Sequence, residues 1–190
     1  MADLEKITGQ KRSNLKVKLN RMVKQNLLVR LKRGIYQLSL SPVDVKKVAN
    51  QLYYPSYLSF ESALSAYGIL SQIPFTQTFA TTKRSKKMTI GNSEVEFTQI
   101  QSGLFFGYVL ENGIYIAQAE KALLDQLYLA ERGKRSINIE ELDLKKINKK
   151  LLKKYSRNFP PYIGDLLGQV MKYVGTTPIS SEAKERIYVE

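Results

Sequence analysis

The sequence predicts an α+β protein in which a short, strongly basic N-terminal module precedes a larger α/β domain with a small sheet and flanking helices. Three observations carry this. Residues 11–38, KRSNLKVKLNRMVKQNLLVRLKRGIYQL, run from a lysine- and arginine-rich helical pattern into two short strand patterns around Arg33-Gly34. Residues 76–117 hold four β-branched and aromatic runs separated by Gly91-Asn92, Ser102-Gly103 and Asn112-Gly113. From residue 119 onward the apolar spacing is helical.

Taken in order, residues 4–8 read as a helix with Asp3 as N-cap and Gly9 as its stop. After a turn at Gln10-Lys11-Arg12, Ser13 or Asn14 caps a second helix reaching about Gln25. Leu15, Leu19, Met22 and Val23 share its apolar face, with Val17, Asn20, Arg21 and Lys24 opposite. Residues 27–31 and 35–38 read as the two hairpin strands. A connector over residues 41–56 contains a helix from Val43 to Leu52, with Pro42 suited to its first turn. Ser59 caps a helix over residues 60–67 stopped by Gly68. Strands follow at 76–81, 94–99, 104–109 and 114–117, then a helix over 119–130 ended near Gly133. Beyond Ile139 a helix carries Leu144, Ile147, Leu151 and Tyr155 on one face and Lys145, Lys146, Lys149, Lys150, Lys153 and Lys154 around the rest. Pro160-Pro161 breaks it, a last helix spans 163–174, and a loose tail closes the chain. The expected division is 1–40, 41–56, 57–175 and 176–190.

Composition narrows the chemistry. The chain has no histidine and no cysteine, so Ser-His-Asp, Cys-His and HExxH sites and thiolate metal centres are excluded, and no cofactor is expected. The lack of cysteine fits a cytoplasmic protein, and no signal peptide or bilayer-length apolar run is read. Of the net charge of +13, residues 1–38 supply +8, from ten Lys/Arg against two acids. That asymmetry points to a local polyanion-binding module.

Lysines and arginines at a helix N-terminus oppose its dipole by about 0.3–1 kcal/mol each, an arrangement that suits an anion docking there. The helix and hairpin together have the pattern of a winged helix-turn-helix, with a recognition helix followed by a wing. On that reading Asn14, Val17, Lys18, Asn20 and Arg21 line the major groove of double-stranded DNA, and Lys16 joins Lys11 and Arg12 at the crowded N-terminus. Lys11, Arg12, Ser13, Lys24, Arg30, Lys32 and Arg33 suit phosphates. A full winged helix needs a further helix ahead of residue 4; the module reads as pared down, or as beginning late.

Other segments admit two readings. Lys83, Arg84, Lys86 and Lys87 form either a solvated loop or a contact with DNA phosphates or an acidic protein surface. The lysine-rich stretch 145–154 reads as a solvated face. Tyr53, Tyr54, Tyr57 and Tyr67 suit a base-stacking platform or, given Leu58, Leu64 and Ile69, a core. A magnesium-dependent nuclease would need grouped carboxylates beside a lysine. Glu120 and Lys121 instead diverge by about 100° on a helix, no carboxylate-x-lysine follows Glu94 and Glu96, and Lys121 pairs locally with Asp125. No catalytic or metal-ligating residue is assigned.

Four ordered segments carry a resemblance: LLVRLKRGIY at 27–36, YLSFESALSAYGIL at 57–70, FATT followed by KRSKK at 79–87, and FFGY at 105–108 with Ile116-Ala117 and EKALLD at 120–125. Across residues 20–130 the chain resembles the AbiEi-type antitoxins and related predicted regulators of viral (phage) defence. The resemblance implies a non-enzymatic protein whose winged helix binds inverted repeats in its own promoter. It also implies an α/β domain that antagonises a nucleotidyltransferase-type toxin. Relatives without a toxin neighbour act as stand-alone regulators; a pure interaction protein that never reads an operator is the rival from another class.

Overall fold

The computed structural model describes residues 2–32, 34–40 and 44–174, and is a mixed α/β fold built on one six-stranded mixed sheet. Expectations that fall on Arg33, Pro42, Val43 and the tail after residue 174 lie outside the described residues.

The N-terminal part comprises α1 (Ala2–Thr8), α2 (Arg12–Lys24) and an antiparallel hairpin of β1 (Leu28–Lys32) and β2 (Ile35–Leu38). Gly9, at φ +64°, ends α1 in the left-handed conformation open to glycine. The expected caps are corrected. Asp3 lies inside α1, and Ser13 and Asn14 lie inside the first turn of α2. The N-cap of α2 is Lys11, which makes no side-chain capping bond. Leu15 and Leu19 are buried as their spacing requires, whereas Met22 stays 37 % exposed.

Next come α3 (Val45–Leu52), β3 (Ser56–Leu58), α4 (Phe60–Ala66), β4 (Gln77–Thr81), β5 (Lys86–Ile90), β6 (Ser93–Gln99), β7 (Tyr108–Glu111), β8 (Ile114–Ala117) and α5 (Ala119–Glu131). After α5 the expected long helix is split. Short 3-10 turns at Ile139–Glu141 and Leu144–Lys146 precede α6 (Lys149–Ser156), which starts where the Asn148 side chain accepts from the N–H groups of Lys150 and Leu151. The last helix is α7 (Gly164–Tyr173). Among the described residues no helix is long and apolar enough to cross a membrane.

Strand order is β5-β6-β4-β3-β8-β7, with β3/β8 and β4/β6 parallel and the other pairs antiparallel. Strand register assigns the two faces. Leu58, Phe79 and Phe97 share one, and Phe97 meets Tyr53 just past α3, with ring centroids 4.7 Å apart. Tyr57, Ala80 and Thr98 share the other, which α4 and α5 cover. Asn50 stitches α3 to the sheet by donating to the Ser56 carbonyl (2.6 Å) and accepting the Tyr115 N–H (2.8 Å).

The hairpin is joined to this sheet. Leu31 is buried in the main apolar core, its carbonyl accepts the Gly91 N–H at 3.5 Å, and the Lys32 amine lies 3.5 Å from the Met88 sulfur.

Candidate nucleic-acid interface

The candidate interface begins with the face of α2 left over once Leu15 and Leu19 are buried. Ser13, Val17, Asn20, Arg21 and Lys24 recur at three- and four-residue spacing and are all exposed, Val17 by 58 %. Asn14 and Lys18 flank them, and Lys11, Arg12 and Lys16 crowd the N-terminus, also exposed. Among the described residues none of the six bases from Lys11 to Lys24 forms an ion pair. The first turn has no acid, so the exposed N–H groups and the cations point the same electrostatic sign outward.

The hairpin residues divide. Arg30, paired across the hairpin with Tyr36, is exposed. Lys32 is half-buried, with its amine turned to Met88 at the junction with the sheet. The four bases at 83–87 divide too, and here the loop reading is corrected, since Lys86 and Lys87 belong to edge strand β5. Lys86 shares the Phe97 face, and its amine and that of Lys83 lie 5.4 and 5.5 Å from the Tyr53 ring centroid. Lys83 donates to the Tyr54 carbonyl. Arg84 is exposed, and its carbonyl accepts the Tyr53 hydroxyl proton at 2.8 Å. Lys87 points to the opposite face and pairs with Glu96 at 3.4 Å.

The carboxylates weighed for a metal site have separate occupations. Glu120 is buried and accepts the Asn148 N–H at 2.8 Å. Glu94 accepts from the Thr76 hydroxyl at 3.3 Å. Glu96 pairs with Arg135, whose guanidinium also holds Glu61 at 2.6 Å and stacks 4.4 Å over Phe60.

Behind the surface, residues of the stretches 57–70 and 105–125 converge on one buried polar cluster. Lys121 and Asp125 form the expected i,i+4 pair, but both side chains are fully buried. Asp125 Oδ2 accepts from the Tyr57 hydroxyl (3.0 Å) and the Ser59 hydroxyl (2.8 Å). Ser59 occupies the N-cap position of α4 yet makes no side-chain capping bond; its hydroxyl serves the carboxylate instead. The Lys121 amine sits 4.9 to 5.6 Å from the ring centroids of Phe159, Phe106 and Tyr57. Gly107, at φ +69°, passes so close that a Cβ there would stand 3.1 Å from the Lys121 side chain.

Burial dominates the ionisation of this cluster. It raises the Asp125 carboxyl and lowers the Lys121 amine, each against the pull of its partner, and with the Asp125 charge it raises the Tyr57 hydroxyl well above its ordinary value. Sequence reasoning saw the pair but not Tyr57 and Ser59 as its partners; their separation in the chain left no local signal. The enclosure suits a structural lock better than a site of chemistry. Tyr57 belongs to it, while Tyr54, 61 % exposed, belongs to the surface. No protein-family model matches the chain, and no curated protein matches it.

Proposed function

We propose that the chain is a DNA-binding antitoxin: a winged-helix-like module of α1, α2 and the β1–β2 hairpin represses the chain's own operon, and the α/β body antagonises a nucleotidyltransferase-type toxin. The observation that carries the DNA half is α2, whose unpaired bases are gathered on an exposed, N-terminally uncapped helix. A merely solvated helix gains from acids in its first turn and from intrahelical ion pairs; α2 has no acid in its first turn and its bases form no ion pair among the described residues. A duplex would supply the missing anions, with the N-terminal residues of the helix near base edges. The antitoxin half rests on the four resembling segments, two of which, 57–70 and 105–125, meet at the Lys121–Asp125 cluster.

The test is a gel shift on duplex DNA from upstream of the gene. If about six phosphates are contacted, the log–log salt slope is near −5, and affinity falls roughly a thousandfold between 50 and 200 mM salt. Arg21→Ala should weaken binding to that sequence and leave rescue from the toxin intact. Sequence-specific binding at wild-type strength in the variant removes α2 as the reading helix.

A further inference from the structure

We infer that two copies of this chain associate through edge strand β7, pairing antiparallel about Val109 so that their sheets join into one. The inference goes beyond the DNA-binding reading and does not depend on it.

The two edges of the sheet are unlike. β5 opens on Lys86 and Lys87, the residue type that keeps an edge from pairing with another strand. β7 has no lysine, arginine or proline, and its one charge lies at its end, on Glu111. Val109 is 41 % exposed and Leu110 62 %. Among the described residues β7 pairs with β8 alone.

Hydrogen-bond register shows which backbone groups are free. Gly107 stands opposite Gln118, one step before Tyr108 and Ala117, and its carbonyl accepts the Gln118 N–H at 2.9 Å. Bonded and non-bonded pairs alternate along an antiparallel ladder. Tyr108/Ala117 and Leu110/Tyr115 are therefore non-bonded pairs, and the Tyr115 N–H agrees, since it turns away from β7 to Asn50. The N–H and C=O groups of Tyr108 and Leu110 point out from the free edge.

A second copy fits this pattern. With Val109 on a twofold axis normal to the sheet, Tyr108 of each copy stands opposite Leu110 of the other, and each pair exchanges both backbone bonds. The same register sets Val109 against Val109 in the close non-bonded position and Leu110 against the Tyr108 ring, so both exposed apolar side chains are covered. Glu111 falls opposite Gly107, about 14 Å from its counterpart, so no like charges meet. The basic module joins the sheet at the opposite edge, about 24 Å away across the strands, which keeps the +8 of residues 1–38 off the seam. A foreign strand would use the same backbone groups, but the symmetric register already matches every β7 residue to one of β7 or to Gly107.

The test is sedimentation velocity on the full chain, with thermal melts to check folding. A strand of four residues makes a small interface. The wild type should therefore move from the 21.7 kDa monomer to twice that mass across the micromolar range. Val109→Lys sets like charges opposite each other at the axis and should stay monomeric with an unchanged melting midpoint. Because the chain has no cysteine, register can be read by crosslinking. Opposed Cα atoms at the axis would be about 4.5 Å apart, within disulfide reach, so Val109→Cys should oxidise to a covalent dimer roughly tenfold faster than Glu111→Cys. Should Val109→Lys melt early, the two cysteine variants decide. A wild type that stays monomeric overturns the inference and leaves the edge to a strand of another protein. A dimer that a folded Val109→Lys retains, or equal crosslinking at both positions, puts the contact elsewhere and overturns it too.

Discussion

Asp125 has no access to water, and its charge is met by one amine and two hydroxyls. Desolvating two ions costs several kcal/mol each, and their attraction offsets this only while both remain. Asp125→Asn preserves an acceptor for Tyr57 and Ser59 but strands the Lys121 ammonium, and should destabilise the fold by about 3 kcal/mol or more. Adding Lys121→Met removes the stranded charge and should restore most of that loss. The wild type also has a pH signature that the double variant lacks. The folded Asp125 carboxyl is raised, so its contribution is present below about pH 4 and lost as pH climbs through the folded value. Lys121 is lowered, so its contribution is present above about pH 10.5 and lost as pH falls through the folded value. Relative to the double variant, the wild type should be weakest between these limits. Urea titrations at pH 4, 7 and 10 measure the gap; a gap independent of pH contradicts the ionisation scheme.

At the scale of elements, the proposed DNA-binding role sets helix stability against anion affinity at the N-terminus of α2. Lys11 stands where a capping oxygen would satisfy a free N–H, and a good cap contributes about 0.5–2 kcal/mol. Lys11→Asp should raise the thermal midpoint by a few degrees, at about 2–4 °C per kcal/mol, while duplex affinity falls. A rise in both would show that no anion docks there. This misread cap illustrates what sequence could and could not reveal. Ser13 and Asn14 are good capping types, but the N-cap is Lys11, two residues before Ser13 and three before Asn14, and Leu15 and Leu19 are buried on the face their spacing gives. The strand at 114–117 was legible to the residue, and those at β4 and β6 to within one, because their alternation and turn glycines are local. Strands β3 and β5 were not. The first has three residues, all buried, too few to show a period. The second opens on two lysines, which protect a sheet edge against unwanted pairing and make it read as a loop. For the candidate interface, the exposed face of α2 was legible from its period. The partition of Lys86 from Lys87 was not, since it depends on strand register across the sheet.

For the whole molecule, the question is whether the basic module and the body respond as one. Their charges argue for separation and their packing for union. Leu31 is 6 % exposed and lies in the same core as Phe97 and Ile90, and the contacts of Lys32 with Met88 and of Leu31 with Gly91 sit on either side of β5's end. A buried leucine cut to alanine costs about 2–5 kcal/mol, and if that cost is felt by one cooperative unit the whole chain melts earlier. Leu31→Ala should therefore lower a single calorimetric transition by roughly 4–20 °C, at about 2–4 °C per kcal/mol for a chain of this size. On the proposed DNA-binding reading, duplex affinity below that transition should fall as well, because the hairpin would no longer hold α2 fixed against the body. Two transitions, with only the smaller shifted, would mean that the module folds apart from the body and that the burial of Leu31 does not join them into one cooperative unit.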